Sequence, residues 1–335
     1  MTFLINAFKV IFLLGFLIFI HEGGHFLAAK LFKVKVEEFS IGFGPKIFSK
    51  KRKETEYSIS LIPFGGYVKM TGEAEKSDEQ GSFSRAKIWH RIIIVAAGAF
   101  VNIIFAIVVF FFLSVFSGNN ISTTVSGILP EAAENISQIE IGDKILKINN
   151  KKVRLKSDIA DSLKKSDGSE IEVVVERNNE EIQLIVKPTK YYEDYYILGV
   201  QVALSSSTIS ERFYYAFWET INFIESMFEG LAMLFTGNVK LEQMTGPIGI
   251  SEIVVKSSGI YNFIYLLSLI SLSLGVTNLL PIPALDGGRL ALLIIEGIRG
   301  KALKEEIELG IQSAGFFLLI LLSLYVSYKD ILRIF

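Results

Sequence analysis

Four stretches of this chain are apolar for long enough to cross a lipid bilayer, and that constrains its fold more than any other feature. A spanning helix needs about 20 residues at about 1.5 Å of rise each. The stretches cover about residues 3–32, 92–116, 261–283 and 309–328. Half of the 335 residues are hydrophobic and only 21% are charged, more apolar content than soluble domains of this length need for a core. A membrane α-helical protein with four transmembrane helices is therefore expected. The chain has no cysteine, which excludes disulfides, thiolate zinc ligation, iron–sulfur clusters and a cysteine nucleophile. A formal net charge of -1 gives no sign of a nucleic-acid partner. No nucleotide is expected either, because the glycines of Gly42-Phe43-Gly44-Pro45 are not followed by the Gly-Lys-Ser/Thr of a phosphate loop.

Charge sets the orientation. No Lys or Arg precedes Lys9 and no small-residue cleavage site ends the first apolar run, so that run reads as a span and not a cleaved signal. The connection between spans one and two carries Lys46, Lys50, Lys51, Arg52, Lys53, Lys69, Arg85, Lys87 and Arg91, which makes it cytoplasmic by the positive-inside rule. The long segment between spans two and three is then external. Lys329 and Arg333 in the tail would be external too, against the rule but by only two charges.

Four regions follow: a first membrane half over residues 1–120, an external domain over 121–205, an amphipathic membrane-surface region over 206–259, and a second membrane half over 260–335. Within the cytoplasmic loop at 34–70, apolar and polar residues alternate from Lys35 to Ile41 and from Thr55 to Leu61. This predicts a membrane-associated β-hairpin or small sheet, its two strands joined by Gly42-Phe43-Gly44-Pro45 and a basic run. In the external domain, hairpins turn at Asn149-Asn150 and Asn178-Asn179, and Leu155 to Lys165 has helical spacing behind a Ser157 cap, giving an inserted α+β module. From Ser210 to Leu234, Phe213, Phe217, Ile221, Ile224 and Phe228 recur at helical spacing with glutamates between them, as in a helix lying on the membrane.

The chemistry centres on His21-Glu22-Gly23-Gly24-His25. This is an H-E-x-x-H string, which on a helix puts two imidazoles one turn apart on one face with a carboxylate beside the first. The spacing suits two corners of a tetrahedral Zn²⁺, with Glu22 within reach of water there. Ionisable residues inside a spanning helix cost about 2.5–3.5 kcal/mol each when charged, and a divalent metal offsets that cost. Gly23 and Gly24 weaken the helix by about 1 kcal/mol each but allow close approach of another helix or a substrate backbone.

Two histidines leave such a site one ligand short. Of the three histidines in the chain, His90 sits in a basic, aromatic segment suited to headgroup anchoring. Asp286, in the string Asn278 to Gly288 at the end of span three, is the better candidate: spans one and three run in the same direction, so both polar clusters fall at cytoplasmic ends. A zinc ion with one carboxylate and one hydroxide is also neutral at low dielectric. Pro281 and Pro283 break the helix there, which is tolerated beside protein or water. Two other classes stay open: a non-catalytic adaptor with a closed structural metal site, for which His90 would supply the fourth ligand, and a metal transporter, disfavoured because no chain of acidic residues or histidines crosses the spans.

His21 to His25 in span one, the Asn-x-x-Pro-x-Pro-x-x-Asp-Gly string at Asn278 to Gly287, and an external domain between spans two and three together resemble the site-2 proteases, closest to the bacterial regulator of sigma-E group. The resemblance covers essentially the whole chain and its paired motifs are specific. It implies His21 and His25 as zinc ligands, Glu22 as general base, Asp286 as third ligand and one Zn²⁺ per chain. It implies Asn278 as a contact to substrate, with Gly42, Phe43, Gly65 and Gly66 in a hairpin near the active site whose edge pairs with an unwound substrate strand. Substrates would be membrane-spanning proteins, such as anti-sigma factors or signal-peptide remnants, in a bacterial inner membrane. The external domain resembles a circularly permuted PDZ domain, with Gly142 to Asn149 as the matching string and Leu198, Gly199 and Val200 as the peptide loop. Two departures stand out: there is room for one such domain, not a pair, and the family's Ala-Gly-Pro-x-x-Asn is here Ala97-Gly98-Ala99-Phe100-Val101-Asn102. Asn102 remains able to contact the site and is expected to bind substrate.

Overall fold

A computed structural model describes residues 2–73, 75, 77–116, 123–163, 166–192, 195–203, 208–236 and 245–334. In chain order its elements begin with α1 (Thr2–Leu31), β1 (Val36–Arg52), β2 (Thr55–Met70) and α2 (Ile88–Phe116). There follow β3 (Val125–Ile128), β4 (Lys144–Ile148), β5 (Lys151–Lys152), α3 (Lys156–Leu163), β6 (Ile171–Arg177), β7 (Glu180–Val186), β8 (Thr189–Tyr192), β9 (Tyr195–Ile197) and β10 (Val200–Val202). The chain closes with α4 (Ile209–Phe235), α5 (Pro247–Lys256), α6 (Gly259–Leu279), α7 (Asp286–Arg299) and α8 (Glu305–Ile334). Two compact units result, Met1–Val109 with Phe223–Phe335, and Phe110–Asn222.

In the first unit, four helices are long and apolar enough to cross a membrane: Leu4–Leu31, Ile88–Phe116, Gly259–Leu279 and Glu305–Arg333. Each coincides with an expected span. Helix α1 continues unbroken through Gly23 and Gly24, because Gly24 lets α2 approach so closely that a Cβ there would lie 2.6 Å from the Ala97 carbonyl. Leu13 and Leu17 of α1 pack with Val254 and Leu267. Asp330 of α8, 1% exposed, accepts the Gly249 N–H at 2.8 Å and so caps the start of α5 from another helix.

The β-rich loop differs from the expected hairpin. Gly42-Phe43-Gly44-Pro45 does not end a strand; it is a bend inside β1, and the turn falls at Lys53 and Glu54. Gly42, Gly44 and Gly65 have φ of +91°, +85° and +106°, values a glycine adopts without strain. The two long strands fold back there, so that Phe39 lies opposite both Val68 and Tyr57. Residues 38–41 are thus flanked on both sides, and Val36, Phe39, Val68 and Met70 pack on Ala28, Ala29 and Ile94 of the helices. Arg91 pairs with Glu296 and Arg289 with Glu73, and both guanidinium groups lie over the Phe83 ring, at 6.0 and 5.2 Å.

In the second unit a sheet of order β5-β4-β6-β7 is built from two hairpins. Asn149, Asn150, Asn178 and Asn179 all have positive φ, the geometry that tight two-residue hairpin turns require and asparagine tolerates. Alternating residues Ile171, Val173 and Val175 face a core with Ile145, Ile148, Ile136 and Leu198. Ser157 lies inside α3 and not before it, and Asp158 Oδ2 accepts the N–H groups of Arg154 and Leu155 at 2.6 and 3.0 Å at the start of that helix. Lys164 and Lys165, at the end of the expected helix, and Ile121 lie outside the described residues. β3 pairs with β10. Arg154 stacks 3.5 Å from the Trp218 ring centroid, and Asn222 donates to Asp158 at 2.6 Å, which holds the first half of α4 on α3.

Candidate metal centre

The helical rise of α1 places His21 and His25 on one face, with ring centroids 4.9 Å apart. Their Nε2 atoms are 3.3 Å apart. Asp286 opens α7, immediately after the proline-broken loop that ends α6, and its Oδ2 lies 3.1 Å from His21 Nε2 and 3.3 Å from His25 Nε2. These separations match the edge of about 3.3 Å in a tetrahedron whose corners are about 2.0–2.1 Å from its centre, the bond lengths zinc takes. Asp286 Oδ2 is buried yet has no well-directed hydrogen bond. Two imidazole nitrogens and an otherwise unpartnered carboxylate oxygen at that spacing fit a metal better than they fit one another. Among the described residues these three form the group of His, Asp or Glu side chains whose ligand atoms lie within 4.8 Å of one another.

Each ring is held from behind. His25 Nδ1–H donates to the Ile94 carbonyl on α2 at 2.8 Å, which leaves Nε2 as the lone-pair nitrogen. Asn102, also on α2 and fully buried, has its amide nitrogen 3.3 Å from His21 Nδ1, while its Oδ1 has no partner. With His21 Nε2 facing Asp286, Nδ1 carries the proton, and the amide turned over presents Oδ1 to it as an acceptor. Ser271 Oγ donates to the Asn102 carbonyl at 3.1 Å, fixing α6 to the same point. Gly98 was not singled out from sequence, yet a Cβ there would overlap the His25 Nε2 and ring.

Glu22 makes no side-chain hydrogen bond among the described residues. Its Cγ lies against Gly66, where an added Cβ would be 3.2 Å away. Phe43 covers Gly65 and stacks on Tyr67 at 6.2 Å, and a Cβ at Gly42 would be 2.7 Å from the Ile62 carbonyl. The glycines expected near the site therefore lie in one corner of the sheet, with Gly66 at Glu22. Asn278 is half-buried in the last turn of α6. His90 is not part of the cluster: its ring stacks on Phe32 at 4.3 Å and meets Trp89 edge-on. A closed structural site of four protein ligands has only three here among the described residues. Leu198, Gly199 and Val200 belong to the second unit, with Leu198 buried and Val200 opposite Ile128.

The model of peptidase family M50 matches residues 9–322. A candidate zinc metalloprotease of Fusobacterium nucleatum is 36% identical over 100% of both chains. The regulator of sigma-W protease RasP of Bacillus subtilis is 31% identical over 98% of each chain, and the zinc metalloprotease RasP of Geobacillus kaustophilus is 29% identical over 99% of this chain and 98% of its own. With these matches over nearly its whole length and four helices long and apolar enough to cross a membrane, the chain belongs to peptidase family M50, the site-2 proteases, as a multi-pass intramembrane zinc metalloprotease.

Proposed function

We propose that His21, His25 and Asp286 hold the zinc and that Glu22 is the general base for cleavage of membrane-spanning segments of other proteins. The observation that carries this is the triangle of ligand atoms at 3.1–3.3 Å with an unbonded carboxylate on the same helix. When bound, zinc acidifies water and polarises the scissile carbonyl. Glu22 takes the proton of the attacking water and returns it to the leaving amine. Asn102 and the Ile94 carbonyl orient the two imidazoles. For Asn102, first expected as a substrate contact, its full burial behind His21 supports an orienting role.

A helical peptide bond is shielded, so substrate must unwind before attack. Asn278 and the sheet edge at Gly65 and Gly66 hold it extended, a role supported by the contact of Gly66 with Glu22. The substrates are membrane-spanning proteins of the anti-sigma-factor or signal-peptide-remnant kind. The enzyme lies in a bacterial inner membrane with the metal centre toward the cytoplasm. The second unit is an external PDZ-like domain, with Leu198, Gly199 and Val200 as its peptide loop, and α4 lies along the membrane surface.

With a membrane-spanning substrate in liposomes, the wild type is expected to cut and Glu22→Gln to retain zinc without cutting. Unchanged cleavage by that variant overturns the role of Glu22.

A further inference from the structure

We propose that Gln312, on α8, is a positioning residue for the third metal ligand; this rests on Asp286 being that ligand. Between α6 and α7 the chain passes through Pro281-Ile282-Pro283-Ala284-Leu285, where the prolines donate no hydrogen bond. Ala284, two residues before Asp286, has φ of +75°, the left-handed region that L side chains avoid and that persists only where the surroundings enforce it. What enforces it comes from α8. The Ala284 N–H donates to Gln312 Oε1 at 2.6 Å. Three residues on, Gly315 backs onto the same loop, and a Cβ there would lie 2.5 Å from the Pro283 carbonyl oxygen.

The remaining backbone hydrogen bonds of this loop are local: Ile282 to Leu280 and Leu285 to Ile282, at 2.7 and 3.2 Å, and the first turn of α7, where Gly288 and Arg289 donate to the Leu285 carbonyl at 3.1 and 3.2 Å. Among the described residues, the bond to Gln312 is thus the hydrogen bond that ties the loop to a helix other than the two it joins. The chemistry fixes the amide's direction, since only Oε1 can accept an N–H, and the buried Nε2 has no partner. A polar side chain in an apolar helix, using its acceptor and leaving its donor idle, is placed for the backbone it holds. Most of the apolar stretch of α8 is left uncovered by the rest of the protein, and Gln312 and Gly315 are where it meets this loop. The seat of α8 on Ala284 thereby sets where the Asp286 carboxylate stands relative to His21 and His25.

The test is the zinc dissociation constant of the purified full-length protein in detergent, measured by chelator competition. Gln312→Ala is expected to weaken zinc binding about 10–100-fold, the usual effect of losing a group that orients a ligand. Gln312→Glu keeps an acceptor and is expected to bind close to wild type. Ala284→Gly adopts the left-handed conformation without help and is expected to restore affinity in the Gln312→Ala background. Wild-type zinc affinity in Gln312→Ala, or failure of both Gln312→Glu and the Ala284→Gly double variant to recover it, overturns the proposal. Asp286→Ala, measured alongside, separates the two readings: unchanged affinity there overturns Asp286 as a ligand, whatever Gln312 does.

Discussion

His25 and Ile94 are joined across two helices by a 2.8 Å hydrogen bond from the imidazole Nδ1–H to the backbone carbonyl. One turn further along α2, Gly98 lies beneath the same ring. Donor, ring and glycine make a single seat that aims Nε2 at Asp286.

Gly98→Ala is therefore expected to push the imidazole off that seat and lower zinc affinity by about 10–100-fold. Gly23→Ala is the control, since a Cβ at Gly23 meets nothing within 4 Å. Zinc content after dialysis against a chelator distinguishes the two, and equal retention by both contradicts the seat.

Asn102 offers a second handle on the same centre. Asn102→Ala leaves the His21 Nδ1–H buried without an acceptor, and zinc affinity is expected to fall by about 10–100-fold. Asn102→Asp keeps an acceptor and is expected to retain most of it. If both variants bind zinc equally well, the orienting role fails, and a substrate contact is tested by comparing KM.

The second unit carries a pH-dependent lock. Burial by itself would raise the Asp143 carboxyl, but the Arg177 guanidinium donates to it at 2.7 and 2.8 Å and the Glu140 N–H at 2.9 Å, and these hold it below its ordinary range. A folded-state value below the unfolded value of about 3.9 means the stabilisation is complete above that pH and is lost as pH falls through the folded value. Asp143→Ala is expected to cost about 2 kcal/mol at neutral pH and to flatten the loss of stability on acidification below about pH 4. Urea unfolding of the full chain, followed by Trp218 fluorescence in a Trp89→Phe background, reads both effects. An acid-side slope equal to that of the unsubstituted chain contradicts the lock.

The features legible in the sequence are those in which a local pattern carries the structure. Apolar runs became the four long helices, because every backbone group in lipid must be satisfied within the segment. The asparagine pairs became hairpin turns, because asparagine tolerates positive φ. The histidine pair came to share one helix face through helical spacing alone. What stayed hidden depends on contacts between residues of ordinary type far apart in sequence. Ile94 acts through its carbonyl, Gly98 by what it lacks, and Gln312 through a loop 28 positions away. The glycines of the β-rich loop read as the end of a strand, when their positive φ bends a strand that continues.

The fold-back of the two long strands also governs which side of the sheet can accept another chain. Residues 38–41 and 56–59 each have neighbours on both sides, so two rims are left. The outer rim carries Lys50, Lys51 and Arg52, all exposed, and like charges of that kind keep stray strands away. The other rim begins at Gly66, against Glu22. One bend thus leaves a charged rim that discourages misassembly and a glycine-bearing rim beside the Glu22 carboxylate, the rim on which the proposed pairing with substrate depends.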